Sequence, residues 1–408
     1  MAILPYGHNV EALHLYEAEL RQRGFDVTTL VCRRLPEGIE GAEGYARVLH
    51  YPYNGHVEAL RKYRDFPKVA TNMASKIRRK QDETLYRGAH MVGLDLMGRA
   101  VRADWVRVLH RFNVTADDWI FLPSVDHYGL LCLLQVLHKM PRDRRPAIHG
   151  RMIGVMETFS YSGGPARTQL LAAVLAAQKA GINVTLSAET PVYQDYLTSI
   201  LQQDVGYLTY PCIAPYTAAD WTRRPFRLTS PGQGRPDKGY MGLIGISDAL
   251  KSHFERGQLL LSTQSMRKDD PSFSKAYQAR LAVKIDLDLR PARLSSQEIE
   301  KMYQEAHVLL LPYAQDIYAM RGSAVYQEGL AHGRLVATYN GTGVASMVQR
   351  YGNGVTVKDE RAMAEAIHAL SQRPAAWVHE TTRTARDAYE ADFKRSFDAV
   401  LATAQQKA

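Results

Sequence analysis

The sequence predicts an α/β protein of two domains, each a mostly parallel sheet covered by helices on both faces. Short runs rich in β-branched and apolar residues alternate along the chain with segments of helical periodicity. Parallel strands need crossover connections, and right-handed crossovers place the helices outside. The 408 residues leave room for two or three domains. Periodicity fails between Tyr210-Pro-Cys-Ile-Ala-Pro215 and the polar stretch Thr217 to Pro225, where prolines cluster, so the boundary is expected there.

In the first domain, residues 1–215, strands are expected at Ala2 to Tyr6, Phe25 to Cys32, Ala46 to Tyr53, Asp117 to Ser124, Ala147 to Val155 and Ile182 to Glu189. Between them Val10 to Arg23, part of Ala89 to Arg111, Tyr128 to Lys139, Pro165 to Ala180 and Pro191 to Gln203 read as helices. The second domain, residues 216–374, offers strands at Phe226 to Ser230, Gln258 to Thr263, Val283 to Asp288, His307 to Tyr313, Leu335 to Asn340 and Gly354 to Lys358. Residues 375–408 are expected to form a terminal helical segment, with Phe393, Phe397, Val400 and Leu401 on one face at i, i+4, i+7 and i+8.

An apolar share of 46% and a charged share of 23% fit a packed globular chain and exclude a disordered or collagen-like one. Cys32, Cys132 and Cys212 lie far apart without Cys-x-x-Cys spacing, against a disulfide framework and for a reducing, cytoplasmic compartment. No apolar run reaches the length of a membrane span. A net charge of +9 favours anionic partners without choosing among phosphate, nucleic acid and lipid.

Two segments can carry chemistry. Ser230-Pro-Gly-Gln-Gly-Arg-Pro-Asp-Lys-Gly239 follows a strand and precedes a helical segment near Tyr240. Gly232 and Gly234 let backbone approach a bulky anion, and Arg235 and Lys238 can neutralise it, the first as a planar fork and the second as a point charge. The spacing is neither a dinucleotide fingerprint nor a P-loop; a surface turn with solvated charges accounts for the same residues. The second segment runs from Leu309-Leu-Leu-Pro-Tyr313 through Tyr318 and Arg321-Gly-Ser323 into a helix expected to begin at about Gly322. The N–H groups of Gly322 and Ser323 would then favour a phosphate. Glu328, two turns in, can accept two hydroxyl hydrogen bonds, a way to hold a ribose; a solvent-facing glutamate and a capping serine are the plain alternatives.

Together these segments resemble the GT-B glycosyltransferases, in particular family 4 and its relatives in bacterial exopolysaccharide and lipid-linked glycan synthesis. Gly232-Gln-Gly-Arg-Pro-Asp-Lys-Gly239 is similar to the family's Gly-Gln-x-Arg-Pro-x-Lys segment, and Tyr318-x-x-Arg-x-Ser323 with Glu328 to its donor-site helix. The resemblance implies two Rossmann-like domains facing across a cleft, with the terminal helix returning to the amino-terminal domain. It implies that Arg235 and Lys238 contact the diphosphate of a nucleotide sugar, that Gly322 and Ser323 lie beside the distal phosphate, and that Glu328 binds the ribose. Family 4 members usually carry a second glutamate where this chain has Met320, a departure that leaves the sugar and the anomeric outcome open; Arg321 or Asp316 are the candidates to substitute.

The first domain should hold the acceptor. Pro123-Ser-Val-Asp-His-Tyr128 follows a strand and opens a helix, so Asp126 and His127 stand at the carboxyl edge of the sheet, where ligands of open α/β sheets bind. If the reaction inverts, Asp126 is the candidate general base for the acceptor hydroxyl, with His127 as its replacement or as a donor-sugar ligand, and a helix cap is the alternative for Asp126. Glu157 in Met156-Glu-Thr158 and Asn9 in Gly7-His-Asn9 are weaker candidates. Between Arg61 and Lys80 eight basic residues stand against one acid, Asp65, interleaved with apolar residues, which suits peripheral contact with an anionic membrane face as well as a solvated helix.

The expected reaction moves a sugar from a nucleotide diphosphate to a hydroxyl of a glycan or lipid-linked oligosaccharide, with protein cations rather than a metal stabilising the leaving diphosphate and no nucleic-acid partner. A GT-B nucleotide-sugar 2-epimerase, a phosphorylase-like enzyme and a catalytically silent glycan-binding scaffold remain as alternatives.

Overall fold

A computed structural model describes residues 9–33, 42–49, 96–125, 127–154, 171–211, 214–266 and 271–405. The expected strand Ala2 to Tyr6 and the basic run 61–80 lie outside these residues. Two compact units divide the chain: Met1–Glu189, Gln194–Pro211 and Ser396–Ala408 make the first, and Thr190–Tyr193 with Cys212–Arg395 the second.

In the first unit, β1 (Leu30–Cys32) pairs in parallel with β2 (Ala46–Leu49), and β3 (Trp119–Val125), β4 (Ala147–Met152), β5 (Val184–Ala188) and β6 (Gly206–Tyr207) form a parallel sheet in that order. The strand expected from Phe25 starts only at Leu30, because the helix Asn9–Gln22 ends through Gly24 at φ 84° and the Phe25 N–H is spent capping the Leu20 carbonyl. Two-residue β6 is too short to leave a period-2 signature, and sequence reasoning passed over it. Helix His127–His138 buries Leu130 to Leu134 without interruption, which seats it fully inside.

One face of this sheet carries polar groups in the dark. His149 bridges Thr185 Oγ1 and Ser187 Oγ at 2.9 Å each, and burial pushes its imidazole down to about 3 with Arg151 assisting, so the ring is neutral. Arg151, fully buried, donates to the carbonyls of Leu208 at 2.6 Å and Pro123 at 3.2 Å and lies 4.1 Å over the Tyr210 ring. Tyr16 donates to the Thr209 carbonyl at 2.5 Å. These bonds tie the ends of β3 and β6 together.

The second unit is one six-stranded parallel sheet in the order β12-β11-β10-β7-β8-β9. Its strands are β7 (Phe226–Ser230), β8 (Leu259–Gln264), β9 (Asp286–Arg290), β10 (Val308–Leu311), β11 (Leu335–Tyr339) and β12 (Gly354–Val357). The chain builds outward from β7 to β9, then returns beside β7 and builds the other way. The order therefore reverses between β7 and β10, the place where a crevice opens at the carboxyl ends of the strands. Leu228, Leu261, Val308, Leu310, Leu335 and Ala337 form its dry centre. The strand expected at Val283 to Asp288 begins at Asp286, because helix Pro271–Lys284 runs on through an exposed Val283. Asp286-Leu-Asp288 on this strand is engaged in structure: Asp288 accepts from Ser262 and Arg290.

The long helix Ala375–Gln405 is shared. Of the segment 375–408, residues to Arg395 group with the second unit and those from Ser396 with the first. In the second unit Asp392 takes Arg350 at 2.6 Å and Tyr351 at 3.2 Å. In the first, Phe397 is fully buried against Tyr16, with ring centroids 5.8 Å apart, and Phe121 at 6.1 Å, while Arg23 covers its face and pairs with Asp398 at 3.0 Å. Replacing Phe397 by Ala should cost the first unit about 3–5 kcal/mol; faster hydrogen exchange in β3 and Asn9–Gln22, with β10 and β11 unaffected, is the expected reading.

Candidate functional site

The loops after β7 and β10 leave the sheet side by side at the reversal point, and the packing of one on the other shapes the site. Pro236–Lys238 forms a single 3-10 turn opened by Arg235 and closed by Gly239 at φ 71°. A second such turn, Tyr240–Gly242, precedes the helix Leu243–Leu250, so the regular helix starts three residues later than Tyr240. A Cβ on Gly239 would stand 1.7 Å from the Pro312 carbonyl oxygen, so only glycine permits this approach of the two loops. The Ala314 N–H donates to the Asp237 carbonyl at 3.1 Å and fastens them.

Four predicted residues meet here in two pairs, Arg235 with Tyr318 and Lys238 with Gly232. Arg235 Nη2 donates to Asp237 Oδ2 at 2.7 Å and to the Tyr318 hydroxyl at 3.2 Å. Burial opposes the guanidinium charge, but Tyr318 and Asp237 outweigh it and hold its pKa above the usual value. The Arg235 Nε–H is buried with no acceptor among the described residues. Lys238 folds back until its Nζ stands 2.6 Å from where a Gly232 Cβ would be, and the Gly232 backbone has a φ of 93° that favours glycine by itself. Burial pushes the Lys238 ammonium down to about 8; Arg235 and Arg321 push the same way, while Asp237 and Glu328 favour the charge.

Tyr313 and Tyr318 form the aromatic wall, with centroids 4.3 Å apart. Lys238 Nζ lies 5.9 Å from the centre of the Tyr313 ring, and the Arg321 guanidinium lies 4.6 Å from that of Tyr318. Sequence reasoning gave Tyr313 and Asp237 no role; the polar tyrosine closing an otherwise apolar strand in Leu309-Leu-Leu-Pro-Tyr313 was the available signal.

After β10 and the short helix Gln315–Tyr318, the next helix begins at Ala324, not Gly322. Ser323 is its N-cap, with extended backbone and a side chain that accepts from the Tyr326 N–H at 3.3 Å and meets the Tyr313 hydroxyl at 3.0 Å. The N–H groups of Gly322 and Ser323 therefore precede the first helical turn, and those of Ala324 and Val325 are its leading donors. Glu328 is buried on the same helix, near enough to act on the Lys238 charge. Gly234 lies elsewhere in the loop: it bridges Met266 and donates its N–H to Ser265 at 3.3 Å, so that donor is used. Asp316 is exposed.

In the first unit, Asp126, Glu157, Gly7 and the side chains of Asn9 and His127 lie outside the described residues; His127 is the first residue of its helix, at the carboxyl end of β3. Among the described residues no group of three or more His, Cys, Asp or Glu is placed to hold a metal ion. What the second unit presents is a half-buried patch with three cations, two carboxylates, a helix N-terminus and a tyrosine wall, suited to a multiply charged anion carrying hydroxyls.

Gly239→Ala should destabilise the second unit by at least about 1 kcal/mol through its left-handed backbone alone, and by more through the Pro312 clash. Gly239→Ala should lower the melting temperature, whereas Gly44→Ala, with open space and ordinary φ, should melt like the parent.

No family model matches the chain, and no curated protein matches it. Solved structures do. The UDP-forming α,α-trehalose-phosphate synthase of Burkholderia xenovorans aligns over 74% of this chain and 78% of its own, at 14% identity and a TM-score of 0.50. A trehalose-6-phosphate synthase studied with bisubstrate glycomimetics of retaining transfer covers 76% and 78% at 13% identity and a TM-score of 0.53. TarM covers 74% of this chain and 58% of its own at 13% identity and a TM-score of 0.54. At such identities the likeness is one of fold: the chain has the mixed α/β, parallel-sheet GT-B architecture of these proteins.

Proposed function

We propose that the second unit binds the nucleoside diphosphate part of a nucleotide sugar, and that the chain is a glycosyltransferase. The observation that carries this reading is the lodging of Lys238 against Gly232, beside Arg235 and within reach of Glu328, at the reversal point of the sheet. A cation with a depressed pKa next to two guanidinia is a charge arrangement that a diphosphate relieves. Glu328 takes the ribose hydroxyls, and the donors at Ala324 and Val325 take the distal phosphate. The fold of UDP-forming and other sugar-transferring neighbours supports the same reading.

In the reaction, the bond between the anomeric carbon and the diphosphate oxygen breaks and the acceptor oxygen bonds to that carbon. Arg235 and Lys238 stabilise the charge that the leaving diphosphate gains, the part a divalent cation plays in other sites. The acceptor hydroxyl gives its proton to Asp126, with His127 as the alternative base. We assign the acceptor to a glycan or lipid-linked oligosaccharide of the exopolysaccharide type, reached at the cytoplasmic membrane face through the basic run 61–80.

Nucleoside diphosphates should raise the melting temperature, with about 2.7 kcal/mol of added stability at a hundredfold excess over Kd. Affinity should be level well below pH 8 and fall as pH rises through about 8, because the free-state ammonium loses its proton there and binding must restore it. Lys238→Met should weaken binding about tenfold or more and remove that fall; titration calorimetry in buffers of different ionisation enthalpy reads both. No diphosphate binding at any pH would overturn the proposal. Flotation with anionic liposomes at low salt should carry the protein upward, and failure to float would remove the membrane assignment.

A further inference from the structure

We propose that Arg321 selects a donor whose sugar carries a carboxylate, so that the transferred unit is a hexuronic acid; this rests on the nucleotide-sugar reading above. Arg235 is already engaged by Asp237 at 2.7 Å and Tyr318 at 3.2 Å, and the Lys238 charge is shared with Asp237 and Glu328. Arg321 differs. Among the described residues no carboxylate lies within ion-pair distance of it, and its guanidinium lies over the Tyr318 ring, 4.6 Å from the ring centre to the guanidinium carbon.

Stacking on a ring restrains a guanidinium while leaving its N–H edge available, which prepares it for a planar two-oxygen partner. Arg321 is half-buried and two residues before the Ser323 cap. Its carbonyl is wedged against Gly343, where a Cβ would come within 2.4 Å, so the backbone that carries it is held by the start of the helix Gly343–Tyr351. With the distal phosphate at Ala324 and Val325, the group attached to that phosphate is the sugar, and the residues just ahead of the cap are the ones it meets. Met320 beside Arg321 offers sugar hydroxyls only a weak thioether acceptor from its side chain, whereas the guanidinium offers a charge-assisted, two-pronged contact to a carboxylate. A neutral hexose would leave that contact unmade.

The test is binding of matched pairs by titration calorimetry: UDP-glucose against UDP-glucuronate and GDP-mannose against GDP-mannuronate, with UDP and GDP as references. At least one uronate should bind about tenfold or more tighter than its neutral partner, and Arg321→Gln should bring that ratio towards one. A neutral sugar binding as well as or better than its uronate in both pairs, while the diphosphates bind, overturns the role of Arg321 and leaves the diphosphate site standing. A uronate preference that survives Arg321→Gln also overturns it. No binding by either diphosphate overturns the site reading and this inference together.

Discussion

Lys238 is the point on which the site turns. Its ammonium is folded under the loop against a bare glycine Cα, where burial and two neighbouring guanidinia disfavour its charge and two carboxylates support it. Left alone, such an arrangement is poorly balanced: a desolvated cation loses more hydration than a partly shared carboxylate returns. The loop keeps it there because the turn is clamped from outside, by Gly239 under Pro312 and by the Ala314 N–H on the Asp237 carbonyl. Local backbone geometry thus holds an electrostatic imbalance, the one that the diphosphate of the proposed function would correct with little reorganisation of the loop.

Topology makes the clamp possible. Residues 231–239 and 312–323 are some eighty positions apart in sequence, yet both leave the sheet at its reversal point, from neighbouring strands. The buried centre of Leu228, Val308 and Leu310 fixes that adjacency. On it rests the aromatic pair Tyr313 and Tyr318, which joins the two loops chemically: Tyr318 accepts from Arg235, Tyr313 meets Ser323, and burial raises both phenol pKa values so that they stay neutral. The first unit solves a related problem differently. Arg151 satisfies strand-end carbonyls from within and His149 stays uncharged between two hydroxyls, so these two polar side chains are buried and serve the architecture.

Much of the architecture was legible from residue order. Alternation of strand and helix patterns foretold a parallel α/β chain, and five of the second unit's strands lie where the apolar runs put them. Val283 misled because a β-branched residue ahead of Asp286-Leu-Asp288 continues the strand pattern, while in space it is an exposed turn of the preceding helix. The helix start after β10 was set two residues early for a similar reason: glycine and serine both suit a helix entrance, and only the bond from Tyr326 N–H to Ser323 Oγ decides which residue caps. Gly234 and Gly232 are alike in sequence, but the Gly234 N–H is consumed by the Ser265 carbonyl while the Lys238 ammonium lies against Gly232.

Composition and spacing by themselves determined the materials: glycines, an arginine and a lysine after one strand, and a serine-led helix with a glutamate after another, which suit an anion site as well as a solvated turn and a capped helix. Only the tertiary structure decided that Lys238 folds back, that Asp237 occupies Arg235 and that Arg321 rests on Tyr318 with no carboxylate beside it among the described residues. The reason is physical. Side-chain identity is local information, whereas charge balance depends on which groups share a low-dielectric neighbourhood, and that is set by strand order and loop packing across long separations in the chain.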